Sequence, residues 1–342
     1  MAEKDKKNKA EKKVKRNWSG RLFWCFGWVL CLLSVIGLFG ASAWPCDLAA
    51  NFRLQYAVLL LLYFGAAVWY LRWLTMFACG SALLLNVILL LPFLVYPADG
   101  HGKYKLMAAN IDYENRDFPR VEKVILQEQP DFLVMVEVRS EWRKLMPKLA
   151  DAFPYAYESL ETKPSRIVIL SRFPAQSRPL RTWDYNPGLF AEMKLEGRNF
   201  TLVGIHPSSP KPHRDHQDRK LQYQQLAYFF TQVPKGELMV AGDFNASPWS
   251  YYFRILTSRV EFKSAMAEFG LHLTYPAGWN PFGVPIDHCV YTSGIVLKAF
   301  RRAADLGSDH YPVVVEFDLR PLPAASPVVS TPVVAPGVAA PR

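Results

Sequence analysis

Two hydrophobic patterns divide the chain. Apolar side chains run almost unbroken over about 22–44, 54–71 and 73–96, and from Tyr104 onward they fall into short segments of strand or helix period separated by Pro, Gly and Asn. At 1.5 Å per residue, runs of roughly 18 to 24 residues cover or nearly cover a hydrocarbon core of about 30 Å. None of the three carries a charge in its interior, and Trp18, Trp24, Trp44, Tyr70, Trp73 and Tyr96 stand near their ends, where aromatic rings favour the headgroup region. Three transmembrane helices are expected.

The later pattern predicts strands over 103–110, 131–137, 166–171, 189–195, 199–206, 237–242, 287–292 and 312–318. Glu196-Gly197-Arg198-Asn199 is expected to turn a hairpin between two of them. Helices are expected over 118–129, 140–150 and 213–232, the last with Leu221, Leu226, Phe229 and Phe230 on its apolar face. Strands, hairpins and helices in this mixture point to an α/β sandwich rather than a strictly alternating parallel fold. The chain thus divides into a tail (1–21), a membrane region (22–97), a domain of ordinary size (101–320) and a disordered tail (321–342) with Pro at six of its 22 positions.

Charge changes the picture only once it is located. Of the net +10, the first 21 residues supply +6, while 101–320 is only +3 with no run of Lys or Arg. The excess therefore does not advertise a nucleic-acid surface on the large domain. Basic residues lie ten to three in favour of the side holding the N-terminal tail and Arg72, against Arg53, Lys103 and Lys105. That bias puts the N-terminus in the cytoplasm and, after three crossings, the large domain on the extracytoplasmic, periplasmic side of an inner or plasma membrane. Ala41-Ser42-Ala43 resembles a signal-peptide cleavage site, but the preceding run is long for one, and cleavage would leave the large domain on the same side. The five cysteines form neither a disulfide framework nor a CxxC metal pair.

Polar residues recur where the expected strands end, which is where a sheet offers groups to a ligand. They are Asn110, Glu137, His206, Asp243 and Asn245 in Gly242-Asp243-Phe244-Asn245, Asp287, and Asp309 and His310 in Ser308-Asp309-His310. Such an oxygen-rich set suits a hard cation such as Mg²⁺ better than zinc. Each residue alone has a plain structural use as a strand end, turn former or buried histidine; their occurrence together is what calls for chemistry. His101, His213, His216, His272 and His288 lack such a context, and His288 should face away from Asp287.

The ordered series Asn110, Glu137, His206, Gly242-Asp243-Phe244-Asn245, Asp287 and Ser308-Asp309-His310 resembles the endonuclease/exonuclease/phosphatase (DNase I-like) superfamily, with Ile169-Leu170-Ser171-Arg172-Phe173-Pro174 and Ala246-Ser247-Pro248-Trp249-Ser250 fitting the same pattern. The three apolar runs ahead of it resemble a membrane-anchored bacterial branch. The resemblance implies a four-layer sandwich of two mixed β-sheets flanked by helices. It also implies Mg²⁺, with Mn²⁺ as the alternative, held by Glu137 with Asn110 and Asp309. Asp243 would orient or deprotonate the attacking water, Asn245 would fix the water or the phosphate, His206 and His310 would contact phosphate oxygens or move protons, and Asp287 would orient His310. Arg166 departs from the family, where many members have glycine, and the carboxylate supporting His206 is open, with Glu158 and Glu161 as candidates.

The expected function is a membrane-anchored, Mg²⁺-dependent phosphohydrolase at the extracytoplasmic membrane surface. The anchor ends a few residues before the first strand, so a lipid-linked phosphate lies within reach, and the small charge excess favours it over DNA or RNA. An anchored endonuclease is the enzymatic alternative, and a non-catalytic receptor for a phosphorylated ligand is the alternative from another class. The bilayer and a phosphorylated substrate are the expected partners, with no obligate protein partner.

Overall fold

The computed structural model describes residues 20–94, 96–159, 166–182, 185–210, 214–233, 236–279 and 281–321. Most of the basic tail and nearly all of the Pro-rich tail lie outside the described residues, as do Glu161 and His213.

The helical region differs from three plain spans. Helix α1 (Gly20–Ile36) stops well short of residue 44. Turns then lead into the short α2 (Trp44–Ala50), followed by α3 (Arg53–Trp69) and α4 (Trp73–Leu90), the last extended by a 3-10 turn to Phe93. Helices α2 and α3 meet at 73°, so among the described residues Trp73–Phe93 is the one unbroken helix long and apolar enough to cross a membrane, with the bent pair as a second. The first run breaks where Gly37 lets the backbone of Ala50 come close, since a Cβ there would lie 3.1 Å from it. Apolar packing of Leu30, Tyr56, Leu60, Tyr63, Cys79 and Ala82 joins α1, α3 and α4. A polar knot adds direction: buried Arg53 donates to the Ser34 carbonyl and to Asn86 Oδ1 (3.3 Å), and Asn86 Nδ2 donates to Ser34 Oγ (2.8 Å).

The rest of the chain builds two sheets. The strands are β1 (Tyr104–Asn110), β2 (Phe132–Val138), β3 (Tyr155–Glu158), β4 (Arg166–Ser171), β5 (Ala175–Thr182), β6 (Tyr185–Leu195), β7 (Arg198–Ile205), β8 (Glu237–Asp243), β9 (Lys263–Ser264), β10 (Asp287–Tyr291), β11 (Ile295–Arg302) and β12 (Val313–Leu319). One sheet runs β11-β12-β1-β2-β4-β3 and the other β5-β6-β7-β8-β10-β9. Each holds one parallel pair, β1/β2 and β7/β8, among antiparallel neighbours. Strand alternation makes the layers. Leu106, Ala108, Val134 and Ile169 of the first sheet meet Leu202, Met239 and Ala241 of the second in the central core. Met107, Leu133 and Val168 face outward to α5 (Phe118–Glu128) and α6 (Met146–Leu149). Val203 and Val240 face α7 (Arg214–Gln232) and α8 (Tyr251–Val260) on the other flank, and α9 (Ala265–Phe269) packs at the end of the central core. These are the two mixed sheets flanked by helices expected from the sequence.

The expected hairpin is present, with Glu196 and Gly197 both at positive φ between β6 and β7. Two helix expectations are corrected. The span 140–150 is a 3-10 turn over Ser140–Lys144 followed by the single-turn α6, because Pro147 removes a backbone donor and sits only where a helix begins. On α7 the buried face is Tyr223, Leu226, Ala227 and Phe230, whereas Leu221 is exposed, since it lies about 200° around the helix from Tyr223 at 100° per residue.

Candidate functional site

All eight singled-out residues stand at one edge of the sandwich, at the ends of strands or in the loops that leave them. Parallel pairing of β1 with β2 and of β7 with β8 brings Asn110, Glu137, His206 and Asp243 to a common edge. Antiparallel β10 begins there with Asp287 opposite Asp243, and the loop entering β12 supplies Asp309 and His310. Gly242 makes the β7/β8 approach possible: at φ +138, a Cβ would fall 2.2 Å from the Ile205 carbonyl oxygen. Glu137 and Asn245 themselves adopt positive φ, 60° and 49°, a strained setting for non-glycine residues of the kind that collects at functional sites.

Asp243 is the hub and is buried. Its Oδ2 accepts from Asn110 Nδ2 at 3.2 Å and lies 3.4 Å from His206 Nε2 and 3.9 Å from His310 Nε2. Its Oδ1 accepts from the Asn245 backbone N–H at 2.7 Å. Burial alone would raise its pKa, but His310 and His206 outweigh it and hold the carboxyl below its ordinary value. His310 Nδ1 bonds Asp287 Oδ2 at 2.8 Å. Burial would lower the His310 pKa, yet the Asp287 and Asp243 carboxylates push it up to about 10. The His206 pKa is also raised, because the hydrogen bond and charge of Asp243, with Glu137, exceed the effect of burial. The carboxylates thus keep His310 protonated and favour the protonated form of His206 beside one ionised carboxylate.

Glu161, one candidate to support His206, falls outside the described residues, and two carboxylates of the site lie beside His206. Its Nε2 lies 3.5 Å from Glu137 Oε1 as well as beside Asp243, whereas Glu158 pairs with Arg143 (3.1 Å) and Arg166 (3.7 Å). His288 faces the other way, as expected, with Nε2 donating to the Ala246 carbonyl at 2.8 Å and burial lowering its pKa to about 4. Two neighbours had no local signal in the sequence. Thr274 Oγ1 accepts from the Asp287 N–H at 3.2 Å, and the Tyr275 ring centres 4.7 Å from that of His310. Both lie on a loop that reaches the site only through the fold.

The donor chemistry fits a divalent ion. Ligand atoms of Glu137, His206 and Asp243 lie within 4.8 Å of one another, as do those of Asp243, Asp287 and His310. Glu137 is partly open, and its oxygens accept from Asn110 Nδ2 (2.9 Å) and the Tyr113 N–H (3.1 Å). Asp309 lies in neither group; it is half-exposed, 3.9 Å from His310 Nε2. Burial raises its pKa, His310 offsets part of that, and Asp112, Glu137 and Asp243 raise it further. Such crowding of carboxylates is what a divalent cation relieves. The Asn110 amide turns its nitrogen to Glu137 and Asp243, while its oxygen accepts from the Asp112 N–H at 3.0 Å.

A two-sheet sandwich with acids, amides and paired histidines at one edge defines a hydrolase of phosphoric esters. The model of the Endonuclease/Exonuclease/phosphatase family matches residues 107–310, more than half of the chain, and the chain belongs to that family of metal-dependent phosphoric ester hydrolases. Solved structures agree in fold. The 3′-phosphatase NExo from Neisseria, bound to a product DNA hairpin, is 18% identical, with a TM-score of 0.53 over 63% of this chain and 99% of its own. The humanized TDP2 of D. rerio is 15% identical, with a TM-score of 0.51 over 63% of this chain and 98% of its own. The human Nocturnin catalytic domain with bound sulfate is 19% identical, with a TM-score of 0.50 over 65% and 97%. No curated protein matches the sequence.

Proposed function

We propose that the protein is a membrane-anchored, Mg²⁺-dependent phosphohydrolase acting on a lipid-linked phosphate at the extracytoplasmic face. One observation carries the lipid assignment: a single loop joins the site to the apolar helices. Its Ala277 N–H donates to the Asp309 carbonyl (2.7 Å), and the Tyr275 ring packs at a tilt against that of His310. Its Phe282 and Gly283 carbonyls accept from Gln55 Nε2 of α3 (3.1 and 2.7 Å). Between these ties, Trp279 and Phe282 are 65% and 67% exposed, large apolar rings presented beside a helix that itself exposes Val58, Leu61 and Leu62. Aromatic rings at that level prefer the headgroup region.

In this reading Glu137 and Asp309, with Asn110 once its amide turns its oxygen toward them, would hold the ion, which would supply Lewis-acid stabilisation of charge developing on a phosphate oxygen. Asp243, ionised and already accepting from Asn110, His206 and the Asn245 N–H, is a weak base, so its main contribution is to orient the attacking water. Asn245 Nδ2 donates to the Pro207 carbonyl (3.0 Å), which holds the Asn245 side chain beside the His206 loop. His310, kept protonated by Asp287, donates to a phosphoryl oxygen or the leaving group, and His206, beside the same Asp243 oxygen, contacts a phosphate oxygen. The helical region carries the anchor, with three passes as the topology that the ten-to-three charge bias supports.

Product release by the full-length chain in lipid vesicles tests the assignment. An isoprenyl diphosphate and supercoiled DNA are supplied in parallel, with Mg²⁺ or chelator and with His310→Ala as control. Mg²⁺-dependent phosphate release from the lipid, lost in His310→Ala, is the expected result. DNA nicking without lipid turnover would make the protein an anchored nuclease instead.

A further inference from the structure

We propose that Asp47, on the short helix ahead of the catalytic domain, is a positioning residue for the active site and acts through Arg219. Both side chains are completely buried, and Arg219 Nε donates to Asp47 Oδ2 at 2.8 Å. Withdrawing two charges from water is costly, and apolar residues of similar volume often hold such a place as well. The pair is therefore poorly explained as a stabilising device, and its other contacts show a use. Arg219 Nη2 donates to the Asn245 carbonyl (2.8 Å), and its Nη1 donates to the Ser208 carbonyl.

Those two carbonyls belong to the loops that leave β7 and β8. One loop begins with His206; the other contains Asn245, whose N–H binds Asp243 Oδ1. A guanidinium is a rigid planar fork, so fixing its Nε on Asp47 fixes the direction of the remaining donors. Gln222, one turn further along α7, holds Ser208 from the same side through Ser208 N–H to Gln222 Oε1 (2.8 Å). A second grip comes from the same N-terminal segment: Asn51 Oδ1 accepts from the Ser247 N–H at 2.8 Å. Asp47 and Asn51 stand four residues apart and meet the 245–247 loop through one bridging arginine and one direct bond. The anchor is thus built into the support of the catalytic loops and does more than tether them.

The inference rests on the hydrolytic site and not on the lipid substrate, so it is tested on whichever phosphoester the wild-type full-length chain turns over in detergent, an aryl phosphate included. Asp47→Asn keeps the shape and removes the charge that orients the guanidinium. Its kcat should fall roughly tenfold to a hundredfold, the scale of a misplacement near 1 Å, with KM within about twofold because no substrate contact is removed. The apolar double variant Asp47→Leu/Arg219→Met separates positioning from stability. Its thermal midpoint should return close to that of wild type while kcat stays low, since neither loop carbonyl regains its donor. Recovery of kcat together with the midpoint would overturn the proposal. If the double variant does not fold, Asp47→Asn decides alone, and an unchanged kcat would overturn it equally.

Discussion

His310 shows how a single residue's setting becomes a measurable property. An isolated histidine titrates near ~6.5, but Asp287 and Asp243 lift this one to about 10 against the effect of burial. Because the folded-state value is the higher one, the stabilisation is complete below the unfolded value and is lost as pH rises through the folded value. If His310 is the proton donor proposed above, its proton should persist through neutral pH, and the alkaline limb of kcat/KM should lie well above that of an ordinary histidine. Asp287→Asn removes the carboxylate 2.8 Å from Nδ1, so that limb should move down by roughly 1–3 pH units. A pH–rate profile of the two proteins measures the shift, and an unmoved limb would assign it to another group. The residues of this cluster were legible in the sequence because each follows a strand end or turn motif. Asp47 and Arg219 were not, because their meaning depends on a contact across 172 positions and a lone acid between apolar runs reads as a loop charge.

Elements were legible in proportion to their local period. Buried strands such as β1, β2, β4, β7 and β8 read as short apolar runs, and their ends fell close to the site residues. Edge strand β11, with Lys298, Arg301 and Arg302 among its apolar positions, and β5, with Arg178 and Pro179, carried too mixed a pattern to be separated from loop. Helix α8 starts on the Ser250 cap, whose Oγ accepts from the Phe253 N–H at 3.3 Å, a signal overshadowed by the motif residues just before it. The β7/β8 pair makes the strongest demand on a single position. Opposite Ile205, Gly242 has φ +138 and leaves no room for a Cβ. Gly242→Ala should thus cost at least about 1–3 kcal/mol in backbone strain, lowering the thermal midpoint. It should also separate His206 from Asp243, so that kcat falls even at temperatures where the variant is folded. Thermal unfolding and steady-state rates on the same preparation check both; a variant with a wild-type midpoint would show that β8 relaxes around the new methyl.

At the scale of the molecule, hydropathy located the helical region but not its bends. Length and apolarity are sums along the chain, whereas the break at residues 37–43 lies where Gly37 meets Ala50 and Gly40 meets Tyr251 of the catalytic domain, and the α2 that turns 73° into α3 is held by Arg219 of that domain. That packing brings the loop bearing Trp279 and Phe282 alongside α3, next to the site rather than away from it. If these rings sit in the headgroup layer, they orient the site toward a substrate embedded in the same bilayer. Full burial of a large apolar side chain is worth about 1.5–3 kcal/mol. Partial burial at an interface, near ~1 kcal/mol per ring, corresponds to about fivefold each. Trp279→Ser/Phe282→Ser should therefore lower kcat/KM on a vesicle-embedded lipid phosphate by roughly 25-fold, while turnover of a soluble aryl phosphate stays within about twofold of wild type. Equal losses on both substrates would place the effect inside the site, through Tyr275 and its contact with His310. Equal retention on both would remove the bilayer from the role of these rings and leave their exposure to another partner.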